Sequence, residues 1–315
     1  MPRRRALGVA LAAASGLAMA LQARINGELA VQIGDGVAAA TISFAVGLVV
    51  LAAIVFGSPY GRRGLRAVRE QLRAGTLRWW HCLGGLAGGF VVATQGLTVA
   101  SLGVAVFTVT LVAGQSTSSL LVDRTTLPPS GPQAVTRTRV IGAGLCVLAV
   151  VVSVADRLGS PQTLGLALLP LAAGFGIAWQ QAVNGRVRAA GGSTWPATFI
   201  NFLTGLLGLL LGFGIGVLVR GWPGGDLPSE PWLYAGGLLG IAVIAVGAAV
   251  VRFTGVLLLG LAAISGQVLG ALLLDLLVPA DTPPAVNTYA GALLALTAVG
   301  IATLGSRRPA RPTQS

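Results

Sequence analysis

The chain has 315 residues, 54% of them hydrophobic and only 10% charged, with a formal net charge of +12. A soluble domain carries about 25% charged residues, so a mean hydropathy of +0.83 excludes a water-soluble enzyme and points to an all-α integral membrane protein. Nucleic-acid binding is excluded as well, because the arginines that make the charge sit in gaps between apolar runs, where they report membrane orientation.

Met1 to Arg5 carry three arginines, and an apolar run follows to about Ile25. Ala18-Met19-Ala20 gives this run the form of a cleaved signal peptide. An equivalent segment, Thr163–Val183, lies mid-chain where no signal peptide can be, so the first run reads as a retained helix. Further runs long enough to cross a hydrocarbon layer of about 30 Å are Val37–Phe56, Trp79–Ala100, Val104–Val122 and Val140–Ala155. Thr163–Val183, Trp195–Val219, Trp232–Val251, Val256–Val278 and Ala285–Leu304 follow, which predicts ten transmembrane helices. Strands are disfavoured, since open sheet edges cannot sit in lipid. Cys82 and Cys146 fall inside apolar runs without metal-ligand spacing, and His81 beside Trp79 and Trp80 reads as an interfacial anchor. No metal and no cofactor are expected.

The two halves repeat one another. An offset of 158 superposes Gln22 on Gln180, Asn26 on Asn184, Gly27 on Gly185, Phe44 on Phe202 and Gly47 on Gly205. Further along, an offset of 152 superposes Gly84-Gly85 on Gly236-Gly237, Gln115 on Gln267 and Asp123 on Asp275. The change of offset places a length difference in the loop after the second helix of each half. A period near half the chain means a duplicated unit rather than a solenoid: residues 1–157, then 158–315 with a short disordered tail from Pro309. Five spans per unit is odd, so the units enter the membrane from opposite sides, as inverted repeats do in many secondary transporters. With cytoplasmic termini, only Arg24, Arg157 and Arg220 fall outside, which fixes both ends of the chain inside.

Polar side chains on these helices are the candidate site. Gln22 and Asn26 are four apart and share a helical face, as do Gln180 and Asn184. Each Asn-Gly step also favours a helix end with a left-handed residue. Two readings therefore stand side by side: caps and interhelical hydrogen bonds, or the lining of a solute path. Gln115, Ser119 and Asp123 form a second stripe, repeated as Gln267, Ala271 and Asp275, with the same two readings. Ser43 and Asn201 are equivalent, whereas Gln95 faces Gly247 in the repeat and breaks the symmetry. A charge at the bilayer centre costs roughly 2.5–3.5 kcal/mol, so Glu28 and Arg24 are expected near the outer interface, paired at i, i+4. Glu28, Asp123 and Asp275 are the candidates for coupling or gating.

Gln-x-x-x-Asn-Gly with a following Ala-Thr-x-x-(Ser/Asn)-Phe-x-x-Gly in each half, over about residues 6–304, resembles the drug/metabolite transporter superfamily. More narrowly it is similar to the YdcZ-type branch of inner-membrane exporters, in fused ten-helix form. The resemblance implies a multi-pass inner-membrane carrier for a small molecule. The first helix, ending near Ile25, lacks the glutamate that small multidrug-resistance relatives carry there. The expectation is a secondary transporter of a small polar or amphipathic solute, working by alternating access between the repeats. Gln22, Asn26, Gln115, Gln180, Asn184, Asn201 and Gln267 would bind the solute through neutral hydrogen bonds. Its partners are the solute and the bilayer, with no nucleic acid, and a monomer suffices because both halves are in one chain. The alternatives are an accessory subunit that binds a partner, or a membrane-embedded lipid-modifying enzyme.

Overall fold

A computed structural model describes residues 2–129, 131–132, 135–155, 160–277 and 285–304, and they are helical with no strand among them. The expected disordered tail and Arg157 lie outside the described residues. The helices are α1 (Pro2–Ile33), α2 (Gly36–Gly57), α3 (Pro59–Arg73), α4 (Gly84–Leu102), α5 (Val104–Val122) and α6 (Arg137–Ser153). They continue with α7 (Pro161–Gly191), α8 (Thr194–Arg220), α9 (Gly236–Leu277) and α10 (Val286–Leu304). Short 3-10 turns, Trp79–Leu83 and Pro231–Ala235, lead into α4 and α9. Among the described residues, six stretches are long and apolar enough to span a membrane: Ala6–Ile33, Gly36–Gly57, Trp79–Leu102, Val104–Val122, Pro161–Gly191 and Thr194–Arg220. Pro231–Ile244, Ala262–Leu277 and Val286–Ile301 are shorter apolar helices. Helices close every backbone hydrogen bond within one segment, which lipid requires.

The Asn-Gly steps do not end their helices. α1 and α7 run on past Asn26-Gly27 and Asn184-Gly185, and they stop before Gly34 and Gly192. These two glycines, again 158 apart, hold positive φ values of 77° and 65°. There an L side chain would clash, so glycine is needed. Glu28 consequently lies inside α1, contrary to the reading of a first helix without glutamate, with Arg24 3.9 Å away. After Gly34, the Asp35 carboxylate caps α2 by accepting from the Val37 and Ala38 amides, both at 2.8 Å. Asp35→Ala is expected to lower stability by about 1 kcal/mol. Thermal melting in detergent would read this as a small drop in Tm with solute flux retained.

Two further elements differ in form from what was expected. The stretch after α2 folds as the amphipathic helix α3, where a loop was expected. Its Gly61, Gly64 and Val68 are buried, and its arginines face outward. The eighth and ninth expected spans run together as α9, with no proline between Pro231 and Pro279. α9 is nevertheless not straight. Gly240 faces Gln22 on α1, and Gly270 faces Leu17 and Ala20. Those α1 positions lie within about 8 Å along the axis, whereas thirty residues of straight helix cover about 45 Å. The chain therefore doubles back within α9. In the first half the corresponding reversal is made between α4 and α5 by Gly103, at φ 79°.

The halves interlock. α1 packs along α9, α7 along α4 and α5, α2 on α8, and α6 on α10. The close approaches come in pairs that obey the two sequence offsets. A Cβ on Gly174 would lie 2.8 Å from the Gln115 amide nitrogen, and one on Gly16 would lie 2.6 Å from that of Gln267. Contacts also sort the connectors into two ends. At one end, Gly64 of α3 abuts Gly191 and Pro196, and Arg186 donates to the carbonyls of Thr126 and Leu127. At the other, Gly225 sits against Gln32 and Ile33, and Arg220 pairs with Asp35 at 3.1 Å.

Candidate solute site

The site begins at the crossing of α2 and α8. Phe44 and Phe202 stack there with ring centroids 4.8 Å apart, tilted by 31°. Each ring lies over the glycine one turn beyond its partner: a Cβ on Gly47 would overlap Phe202, and one on Gly205 would overlap Phe44. Ala40, Leu51, Val92, Ala93, Leu209 and Ile241 complete this apolar centre. A polar cluster flanks it on each side.

On the side of α7, Asn184 Nδ2 and Gln180 Nε2 both donate to Asn201 Oδ1, at 2.8 and 3.0 Å. Their i, i+4 spacing puts both amides on the face of α7 that meets α8. α4 closes over them through glycine. A Cβ on Gly84 would lie 2.6 Å from Asn184 Oδ1, and one on Gly88 2.7 Å from Gln180 Nε2. No larger residue fits without displacing the amides.

On the side of α1 the same plan is kept with different chemistry. Asn26 is fully buried, and its Nδ2 donates to Gln95 Oε1 of α4 at 2.6 Å. Ser43 occupies the place of Asn201 but is shorter, so the Asn26 amide turns to Gln95 instead. Asn26 Oδ1 and Ser43 Oγ are buried without a hydrogen-bond partner, and both face Gly236. Gln22, 8% exposed, faces Gly240 much as Gln180 faces Gly88. An unmade hydrogen bond on a buried group costs about 1–3 kcal/mol. The α7 side is thus closed by two converging bonds, while the α1 side retains an unused acceptor and an unused hydroxyl.

Of the sequence-derived candidates, the structure brings Gln22 and Asn26 to one cluster and Gln180, Asn184 and Asn201 to the other. Gln115 and Gln267 stand apart from both. They lie where α5 meets Gly174 and α9 meets Gly16, and six residues of helix, about 9 Å, separate those glycines from Gln180 and Gln22. The hydroxyls beside Gln115 bond within their own helix. Thr117 donates to the Ala113 carbonyl at 2.8 Å, and Ser119 to that of Ser116 at 2.8 Å, back-bonds within their own helix. Gln95, absent from the candidate set, is 3% exposed and a full member of the α1-side cluster. Its lack of a polar counterpart in the repeat was the available signal.

The acidic candidates separate as well. Asp275 is 6% exposed and accepts from the Val104 and Ala105 amides at 3.0 and 2.8 Å, which caps α5 across the two halves. Asp123, half-buried at the end of α5, is ion-paired with Arg139. Glu28 has its α1 neighbour Arg24. His81 is buried rather than exposed as an anchor: its Nδ1 accepts from the Arg78 amide at 3.2 Å, and its ring lies 4.0 Å from that of Trp80. Among the described residues no group of three or more His, Cys, Asp or Glu side chains is placed to hold a metal.

A family model described as "Putative inner membrane exporter, YdcZ" matches residues 7–152 and again residues 165–301. No curated protein matches the chain. Among solved structures, one described only as a crystal structure of a protein aligns over 98% of this chain and 99% of its own, with a TM-score of 0.57. At 21% identity that likeness shows a shared fold.

Proposed function

Since the chain belongs to the YdcZ family of inner-membrane exporters and crosses that membrane several times, we propose that it is a secondary carrier working by alternating access. Residues 1–157 and 158–315 act as two five-span units of opposite orientation, with both termini in the cytoplasm. The observation that carries this reading is the paired geometry around Phe44 and Phe202, in which Gly84 and Gly88 approach Asn184 and Gln180 on one side as Gly236 and Gly240 approach Asn26 and Gln22 on the other. Inverted repeats characteristically bind their solute at such a seam, near the bilayer midplane. The solute is small and polar or amphipathic, held through neutral hydrogen bonds by Gln22, Asn26, Gln180, Asn184 and Asn201, with Gln95 as a further member. Gln115 and Gln267 flank the path farther along α7 and α1. Gln22, Asn26, Gln95 and Asn201 are buried while Gln180 and Asn184 are half-buried, and the solute reaches the buried amides when α4 or the first leg of α9 parts from the seam. The protein acts as a monomer, and as a carrier rather than an enzyme.

Flux into liposomes is the test. Purified protein is expected to move a small solute down its gradient, and Asn26→Ala and Asn184→Ala are each expected to slow the initial rate at least about tenfold, the effect of removing roughly 1.4 kcal/mol of solute interaction, with unchanged expression. Normal transport by both variants would remove the site assignment. Co-purification of a stoichiometric partner together with no flux of any solute would favour an accessory subunit.

A further inference from the structure

The two offsets relating the halves, 158 before the second connector and 152 after it, mean that the first half is longer there. That connector contains α3, which docks on the far half. Gly64 abuts Pro196 and the Gly191 carbonyl, and Val68, 2% exposed, clusters with Leu77, Val187, Ala190 and Ala197. The counterpart connector, residues 221–230, has no helix and no arginine, and carries Asp226 and Glu230.

The outer face of α3 has a definite pattern. Arg62, Arg66, Arg69 and Arg73 are spaced i, i+4, i+7 and i+11, so they fall within a sector about 60° wide, and all four are exposed. Leu65, Val68 and Leu72 occupy the adjoining sector. Glu70 is the one acid in the helix, and among the described residues none of the four arginines is in an ion pair. Like charges at this spacing repel, so the stripe gains from counter-anions. Tyr60 at the start of α3, 76% exposed, and Trp79 just beyond its end, 71% exposed, are the amphipathic aromatics that sit at headgroup depth.

We propose that the α3 stripe is a binding site for the phosphate headgroups of anionic phospholipids in the adjacent leaflet. The arginines hold the phosphates, while Leu65, Tyr60 and Trp79 meet the glycerol and upper acyl region. A soluble anion would use the charge alone. The combination of an exposed charge stripe with exposed aromatics at each end suits an occupant that is charged at one end and apolar at the other. Because α3 rests on the end of α7 and the start of α8, a lipid held there also grips the contact between the two halves.

The experiment uses the full chain in uncharged detergent, with phosphatidylglycerol and phosphatidylcholine offered together and retained lipid counted by native mass spectrometry. Phosphatidylglycerol is expected to be retained at least tenfold over phosphatidylcholine, and the preference should vanish in 0.5 M salt. At about fivefold per arginine near a charged surface, R66Q/R69Q should bring it down to parity or, from a larger starting preference, by about 25-fold, whereas the equal-charge control R124Q/R137Q should leave it intact. Melting of each variant separates lost lipid from lost fold. Equal retention of the two lipids, a preference that survives salt, an unchanged preference in folded R66Q/R69Q, or full displacement by inorganic phosphate would each overturn the assignment.

Discussion

Replacing Asn201 with leucine is expected to abolish solute flux and to destabilise the helix bundle by about 2 kcal/mol. Asn201 Oδ1 is the single acceptor on which Gln180 and Asn184 converge, and the side chain is 3% exposed. Leucine fills the volume but accepts nothing, so two amide donors at membrane depth lose their partner together. Interhelical hydrogen bonds in membranes average about 0.6 kcal/mol each, because the loosened state finds other partners, and orphaned donors add about 1 kcal/mol more. The sharper comparison is Asn201→Ser, which reproduces on the α7 side the residue that nature placed at Ser43. Asn201→Ser is expected to fold and to keep measurable but slower flux. Thermal melting in detergent and initial rates in liposomes give both readouts. Full flux by folded Asn201→Leu would show that this cluster only packs helices.

Asp275→Ala is expected to have the larger effect on folding, about 3–5 kcal/mol. Its carboxylate receives the first two amides of α5, which no residue of α5 can satisfy. Hydrogen bonds to a charged acceptor contribute about 1.5–3 kcal/mol each, and an anion at a partly buried helix start adds up to about 2 kcal/mol. The cap also joins the halves, because Asp275 and Val104 are 171 residues apart. Asp275→Asn should fall between, keeping one acceptor and losing the charge. Asp123→Ala, which removes a half-exposed ion pair with Arg139, should change stability by no more than about 1 kcal/mol. Detergent melting curves of the three variants rank them, and an Asp275→Ala protein as stable as Asp123→Ala would refute the cap as a structural tie.

Much of this was legible in the residues because the sequence contains its own comparison. The superposition of Gln22-x-x-x-Asn26 on Gln180-x-x-x-Asn184 places both clusters, and Phe44 and Phe202 mark the crossing between them. What escaped had physical reasons. The arginines of α3 read as a sign of membrane sidedness, and that reading hid their helical period. Asn-Gly suggested a helix stop, yet the chain stops seven residues after each Gly, at Gly34 and Gly192, because the left-handed turn is set by where the next helix must start. Gln95 stands out in the sequence only as a break in the repeat, since its value depends on Ser43 being too short to reach Asn26, a distance no linear pattern carries. The doubling back of α9 is visible only through what touches α1.

Ser43 opposite Asn201 has one more consequence on the two-unit reading. Were each unit a separate polypeptide pairing with its own copy, one gene would write both walls of the junction, and every substitution would arrive twice. Joining the copies end to end lets the walls drift apart, serine and glutamine on one, asparagine on the other. A cargo with two dissimilar ends can then be gripped in a single preferred direction.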